Sequence, residues 1–84
     1  MKLELFYYNQ CPFCYRVVKI IDDLGLKDKI NFRNVLENPQ DRQYHMDKTG
    51  RTTVPCLYIN DSPMFESADI IQWLKAEKSQ ILGE

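Results

Sequence analysis

Cys11-Pro12-Phe13-Cys14 holds the residues of this chain best suited to chemistry. Pro12 fits the first turn of a helix, where its missing N–H is not needed. A helix opening there puts Cys11 at the N-cap and Cys14 one turn inside. The two sulfurs then share one side of the first turn, close enough to bridge. Free N–H groups and the helix dipole at such a start favour an anion, here a thiolate at Cys11. A thiolate is both nucleophile and leaving group in thiol–disulfide exchange. Cys14, set deeper, suits the resolving thiol.

A pair of cysteines at this spacing is also half of many zinc sites. Cys56 and His45 are the remaining soft ligands, so a Cys₃His set is the competing reading. Zinc half-sites usually sit in knuckle turns. This pair lies between a strand pattern and a proline-started helix, which favours redox chemistry. Cys56 reads as a small strand residue and His45 as a surface residue of the second helix. Phe13 is expected at the exposed rim of the site, against the disulfide partner. Trp73 reads as packing at the edge of the last helix.

The surrounding pattern supplies the elements that place these residues. Leu3, Leu5 and Tyr7 alternate with Glu4 and Phe6, which predicts a strand over residues 2–7. Phe13, Val17, Val18, Ile20, Ile21 and Leu24 recur at helical spacing, closed by Gly25. Ile30, Phe32 and Val35 predict a second strand near 30–35, parallel to the first with a right-handed crossover. Asn38-Pro39 opens a helix over 39–49 ending at Gly50, thin in apolar residues. Cys56–Ile59 reads as a third strand, Asn60-Asp61 as a turn, and Pro63–Phe65 as an edge strand closing an antiparallel hairpin. Ser67 can cap a last helix over 67–77, with Ile70, Ile71 and Leu74 on its buried side. The tail, Ser79–Glu84, is expected to fray. The order β-α-β-α-β-β-α describes a mixed four-stranded sheet flanked by helices, an α/β domain.

Composition narrows the function classes. The chain has 84 residues, which predicts a single domain over 1–84. Its net charge of −1 argues against nucleic-acid binding and against an anionic membrane surface. No apolar run approaches the roughly 20 residues of a membrane span. The first residues lack the apolar region of a secretory signal, so a cytoplasmic protein is expected. Three cysteines are too few for a disulfide scaffold and fit redox or metal use.

Cys11-Pro12-Phe13-Cys14 after the first strand, with Thr53-Val54-Pro55 before the third, resembles the glutaredoxins of the thioredoxin-fold superfamily. Gly50-Arg51-Thr52-Thr53-Val54-Pro55 is particularly close to that pattern, and the resemblance covers residues 2–77. It implies a cis Pro55 facing the cysteine pair, and a Val54 backbone that pairs with the cysteinyl part of glutathione. Two positions depart from the family. Glutaredoxins usually carry a Gly-Gly pair ahead of the last helix. Phe65-Glu66-Ser67-Ala68-Asp69-Ile70 is instead similar to the N-terminal domain of glutathione S-transferases, where a Glu-Ser pair holds the γ-glutamyl end. Glu66 can meet an ammonium and the helix start at Ser67 a carboxylate. The second departure is Tyr8, where many glutaredoxins have a lysine. Tyr8 can donate a hydrogen bond to glutathione but brings no charge, and Arg16 and Arg51 are candidate substitutes.

The resemblance implies a glutathione-dependent thiol–disulfide oxidoreductase with catalytic Cys11 and Cys14. Glutathione is then the reducing co-substrate, held by Tyr8, Phe13, Val54, Pro55, Glu66 and Ser67. Its partners are glutathionylated or disulfide-containing proteins. A monomer without metal, nucleic acid or membrane contact is expected. The alternatives are a stand-alone glutathione S-transferase-like domain and a metal- or iron–sulfur-binding module. Pro12 disfavours a cluster, since cluster-binding relatives commonly lack it.

Overall fold

A computed structural model describes residues 1–83 of the chain. Its elements follow the expected order, with two additions, a single 3₁₀ turn at Lys27–Lys29 and a short helix at the end. They are β1 (Leu3–Tyr7), α1 (Pro12–Asp23), β2 (Asn31–Asn34), α2 (Pro39–Thr49), β3 (Cys56–Ile59), β4 (Ser62–Met64), α3 (Ser67–Ala76) and α4 (Lys78–Leu82). The strands form one sheet in the order β2-β1-β3-β4. β1 runs parallel to β2, with Leu5 opposite Phe32, and antiparallel to β3, with Leu5 opposite Leu57. β3 and β4 close the expected antiparallel hairpin, and Pro63 sits on the edge strand. There its missing N–H costs the sheet nothing.

Alternation along the strands divides the sheet into two unlike faces. Leu3, Leu5 and Leu57 meet Val17 and Ile21 of α1 and Ile70 and Leu74 of α3, all buried. Each such aliphatic side chain contributes about 1.5–3 kcal/mol when fully buried. α1 can supply this face because Cys14, Val17 and Ile21 fall on one stripe of its surface. The other face is smaller and aromatic. Phe6, Val35, Cys56 and Tyr58 form its buried cluster, and α2 covers it.

Two expectations are corrected here. His45 is not a surface residue: it is fully buried and is the one buried residue of α2. A helix so poor in aliphatic residues docks through rings instead. His45 and Tyr44 both stack on Phe6, at centroid distances of 5.3 and 5.8 Å. The tail does not fray throughout, because residues 78–82 form α4 and bury Ile81 against the main core. Glu84, the last residue of that expected tail, lies outside the described residues. Among the described residues, no helix is long and apolar enough to cross a membrane.

Candidate functional site

The start of α1 is built around sulfur. Cys11 is the N-cap residue in extended backbone, with Pro12 at the first helical position. The Cys14 N–H donates to Cys11 Sγ at 3.2 Å, so the sulfur fills the place that a serine or aspartate oxygen usually takes. An acceptor in that place gains from negative charge, because the donor and the dipole both point at it. Cys11 is 5% exposed and Cys14 is 0% exposed, the order expected of attacking and resolving thiols. Burial, and then the hydrogen bond with Cys11, push the Cys14 thiol up to about 12. All three cysteines are free thiols.

The second part of the site is the loop from α2 to β3. Gly50 ends α2 at φ 74°, a left-handed conformation that a side chain would strain. The chain then runs through Thr53 to a bend at Val54, and the Val54–Pro55 peptide is cis, as the family resemblance implied. Val54 and Pro55 line a cavity of about 250 Å³ together with Phe13, Thr53, Glu66 and Ser67. Five of these six residues are candidates named from the sequence. The cavity therefore gathers the residue between the two cysteines, the cis-proline loop and the start of α3. Phe13 is 58% exposed, at the rim as expected.

The third part is that helix start. Glu66 is its N-cap, at φ 71° and ψ 114°, and no side chain caps the first turn. The reading of Ser67 as the cap is corrected: Ser67 is already the first helical residue, and it is buried. The first intrahelical bond of α3 runs from Ile70 N–H to Glu66 C=O at 3.0 Å. The N–H groups of Ser67, Ala68 and Asp69 thus have no carbonyl partner within the helix.

Other candidates lie elsewhere. Tyr8 does not line this cavity; it packs beside the aromatic cluster and borders a small separate pocket with Asn9 and Tyr15. Arg16 lines a groove between α1 and α3 with Ile20 and Ile71. Arg51 lays its guanidinium on the Phe65 ring, 3.8 Å from the centroid, one residue from Glu66. Cys56 is buried on β3, as expected of a packing residue, and burial pushes its thiol up to about 12. The zinc set of Cys11, Cys14, Cys56 and His45 is not assembled. Both His45 nitrogens are engaged by Tyr58 and Thr53. Among the described residues, no three or more His, Cys, Asp or Glu side chains are grouped to hold a metal. Sequence reasoning missed Thr53, whose only signal was its place beside Val54-Pro55.

The same fold recurs in known structures. An epsilon-class glutathione S-transferase from the housefly, Musca domestica, matches with a TM-score of 0.75 at 18% identity, over 94% of this chain and 36% of that one. A trimeric glutathione transferase from Leishmania matches with a TM-score of 0.71 at 29% identity, over 89% of this chain and 16% of that one. The solution structure of a glutaredoxin from Brucella melitensis matches with a TM-score of 0.63 at 20% identity, over 95% of this chain and 84% of that one. The chain therefore spans about a third or less of these transferases but most of the length of the glutaredoxin. No curated protein matches it in sequence. The likenesses establish a thioredoxin-like fold shared by both groups, and sequence separates them: the family model for glutaredoxin matches residues 3–64, from β1 through the cysteine pair and the cis-proline loop to β4, so the chain belongs to the glutaredoxin family.

Proposed function

We propose that the protein is a glutathione-dependent thiol–disulfide oxidoreductase that reduces glutathione mixed disulfides and protein disulfides. One observation carries the reading: Cys11 Sγ caps α1 beside a buried Cys14, while Phe13 between them borders the cavity of Val54, Pro55 and Glu66.

With a glutathionylated protein, the Cys11 thiolate attacks the glutathione sulfur. The protein leaves as a thiolate and takes up a proton, and Cys11 is joined to glutathione. A second glutathione attacks that bond through its own sulfur, giving glutathione disulfide and returning the Cys11 thiolate. With a protein disulfide, Cys11 forms a mixed disulfide with one protein sulfur. Cys14 then gives up its proton and attacks Cys11, releasing a protein dithiol and leaving a Cys11–Cys14 disulfide. Two glutathiones reduce that disulfide, so two electrons pass in each cycle.

Glutathione fits the cavity by its chemistry. Glu66 supplies an anion for the γ-glutamyl ammonium, and the unpaired N–H groups at the start of α3 suit its carboxylate. The Val54 backbone is left for the cysteinyl part, and Phe13 and Pro55 offer apolar surface to its sulfur arm.

The test is reduction of a glutathionylated peptide by glutathione, followed as glutathione disulfide. Turnover by the wild type and none by Cys11→Ser is the expected result. The Glu66-Ser67 pair favours one second reading, a transferase-like conjugation. Conjugation of glutathione to an aromatic electrophile, with no mixed-disulfide reduction, would replace the first reading by the second.

A further inference from the structure

The exchange cycle makes no use of His45, yet it is the most completely enclosed of the buried polar residues described. It is fully buried, with the rings of Phe6, Tyr58 and Phe65 packed around it at centroid distances of 5.3–5.8 Å. Both of its nitrogens have partners. Nε2 lies 2.8 Å from the Thr53 carbonyl oxygen, and Nδ1 lies 2.7 Å from the Tyr58 hydroxyl. A carbonyl only accepts, so Nε2 carries a proton and donates it. On the neutral ring, Nδ1 then accepts the hydroxyl proton of Tyr58. A directed relay of hydrogen bonds thus starts on β3, crosses the imidazole and ends at Thr53.

Thr53 is where that relay gains a consequence. Its carbonyl and the Val54 N–H belong to one planar peptide group. The only cis bond among the described residues is Val54–Pro55, so the Thr53–Val54 peptide is trans and its C=O and N–H point in opposite directions. Holding the carbonyl toward α2 turns the Val54 N–H away from α2. Thr53 and Val54 both line the cavity. Thr49 adds a second tie on the same helix: its hydroxyl donates to the His45 carbonyl at 2.8 Å and accepts the Arg51 N–H at 3.1 Å.

We propose that His45 is a positioning residue: by holding the Thr53 carbonyl it fixes the peptide plane that presents the Val54 backbone to the cysteinyl part of glutathione. The proposal deepens the oxidoreductase reading and rests on it for the identity of the ligand. The orientation of the peptide itself does not depend on that reading. His45 touches neither sulfur nor substrate, so its effect falls on binding and not on the exchange step.

The experiment compares His45→Phe, which keeps a ring and loses both hydrogen bonds, with His45→Gln, whose side-chain amide can reproduce the donor to Thr53. Tyr58→Phe is added to remove only the donor to Nδ1. Each is measured for KM and kcat with glutathionylated peptide, and for the NMR order parameter of the Val54 amide without ligand. Loss of the hydrogen bond to the Thr53 carbonyl predicts a KM raised about five- to tenfold in His45→Phe, with kcat within about twofold. His45→Gln should recover to within about threefold of the wild type, and Tyr58→Phe should lie between the two. The Val54 order parameter should fall from the rigid range near 0.85 in His45→Phe and recover in His45→Gln. An unchanged KM and order parameter in folded His45→Phe would overturn the proposal, as would a His45→Gln no better than His45→Phe. If His45→Phe does not fold, an unchanged KM and order parameter in Tyr58→Phe overturns it. A wild type that does not reduce the peptide sinks the oxidoreductase reading instead, and the ligand-free order parameter still decides whether His45 holds the loop.

Discussion

Two helices begin at the candidate site, and their first turns are finished in opposite ways. At the start of α1, Cys11 keeps ordinary extended backbone and turns its own sulfur onto the Cys14 N–H. At the start of α3, Glu66 is held at φ 71° and no side chain closes the turn. The first terminus spends its donors on a reactive atom of the chain itself. The second leaves the N–H groups of Ser67, Ala68 and Asp69 without a carbonyl of the helix or a capping side chain. A positive φ at a non-glycine residue costs of order 1–3 kcal/mol and persists only where its surroundings enforce it. That backbone lies on the wall of the cavity, where the proposed function places the γ-glutamyl end of glutathione.

The largest expected effect breaks the comparison at α1. Cys11→Ser keeps a capping oxygen but loses the nucleophile, so reduction of glutathionylated peptide should fall to background while the fold survives. Cys14→Ser should keep that activity and lose two-thiol reduction of protein disulfides. Equal loss of peptide reduction in both variants would contradict the assigned roles.

The next effect probes α3. Glu66→Ala removes the carboxylate but stays at a strained φ, whereas Glu66→Gly removes both the charge and the strain. Both should raise KM for the glutathionylated peptide about tenfold, the worth of one charge-assisted hydrogen bond, with a smaller change in kcat. Only Glu66→Gly should gain stability, by about 1 kcal/mol in denaturant unfolding. Wild-type kinetics in a Glu66→Ala, Ser67→Ala double variant would show that the pair serves only to start the helix.

The smallest effect comes from Cys56, a thiol with no helix start behind it. Cys56→Ala should retain most activity and cost about 1 kcal/mol or less in stability. Its signature lies at alkaline pH. Cys14 and Cys56 hold their protons to about 12 when folded, whereas an unfolded thiol releases its proton near 8.5. The native state then binds more protons, so stability falls as pH rises from about 8.5 toward 12. Cys56→Ala should make that decline shallower in unfolding curves taken across the range. An unchanged slope would mean that Cys56 ionises alike in both states.

What the sequence made legible was local. Alternation in Leu3–Tyr7, the proline at the start of α1 and the Asn60-Asp61 turn each act within a few residues, and the strand and helix bounds shifted by only a residue or two. The cavity was legible as well, since Phe13, Val54 and Pro55 lie in motifs shared with glutaredoxins, and Glu66 and Ser67 in a pair similar to that of the glutathione S-transferases. His45 was not, because its burial depends on Phe6, Tyr58 and Phe65, which come from three other segments. Nor was the cap of α3. Serine is a preferred cap by type, but it is the positive-φ backbone at Glu66 that marks where the helix begins. Tyr8 stands at the family's lysine position, yet its ring joins the packing beside Phe6 and Tyr58.

In the proposed cycle, the enclosure of Cys14 also bears on timing. Burial is the largest reason its proton is held so firmly, and the remaining upward influences come from Cys11. Once Cys11 is tied up in a mixed disulfide those influences lapse, but the enclosure persists. At neutral pH that keeps Cys14 protonated, which in the proposed cycle favours attack by a free glutathione over closure by Cys14. The depth of one side chain thereby divides traffic between two exits: escape by collision with a small thiol, whose share grows with its concentration, and closure by the neighbouring sulfur, whose rate stays fixed.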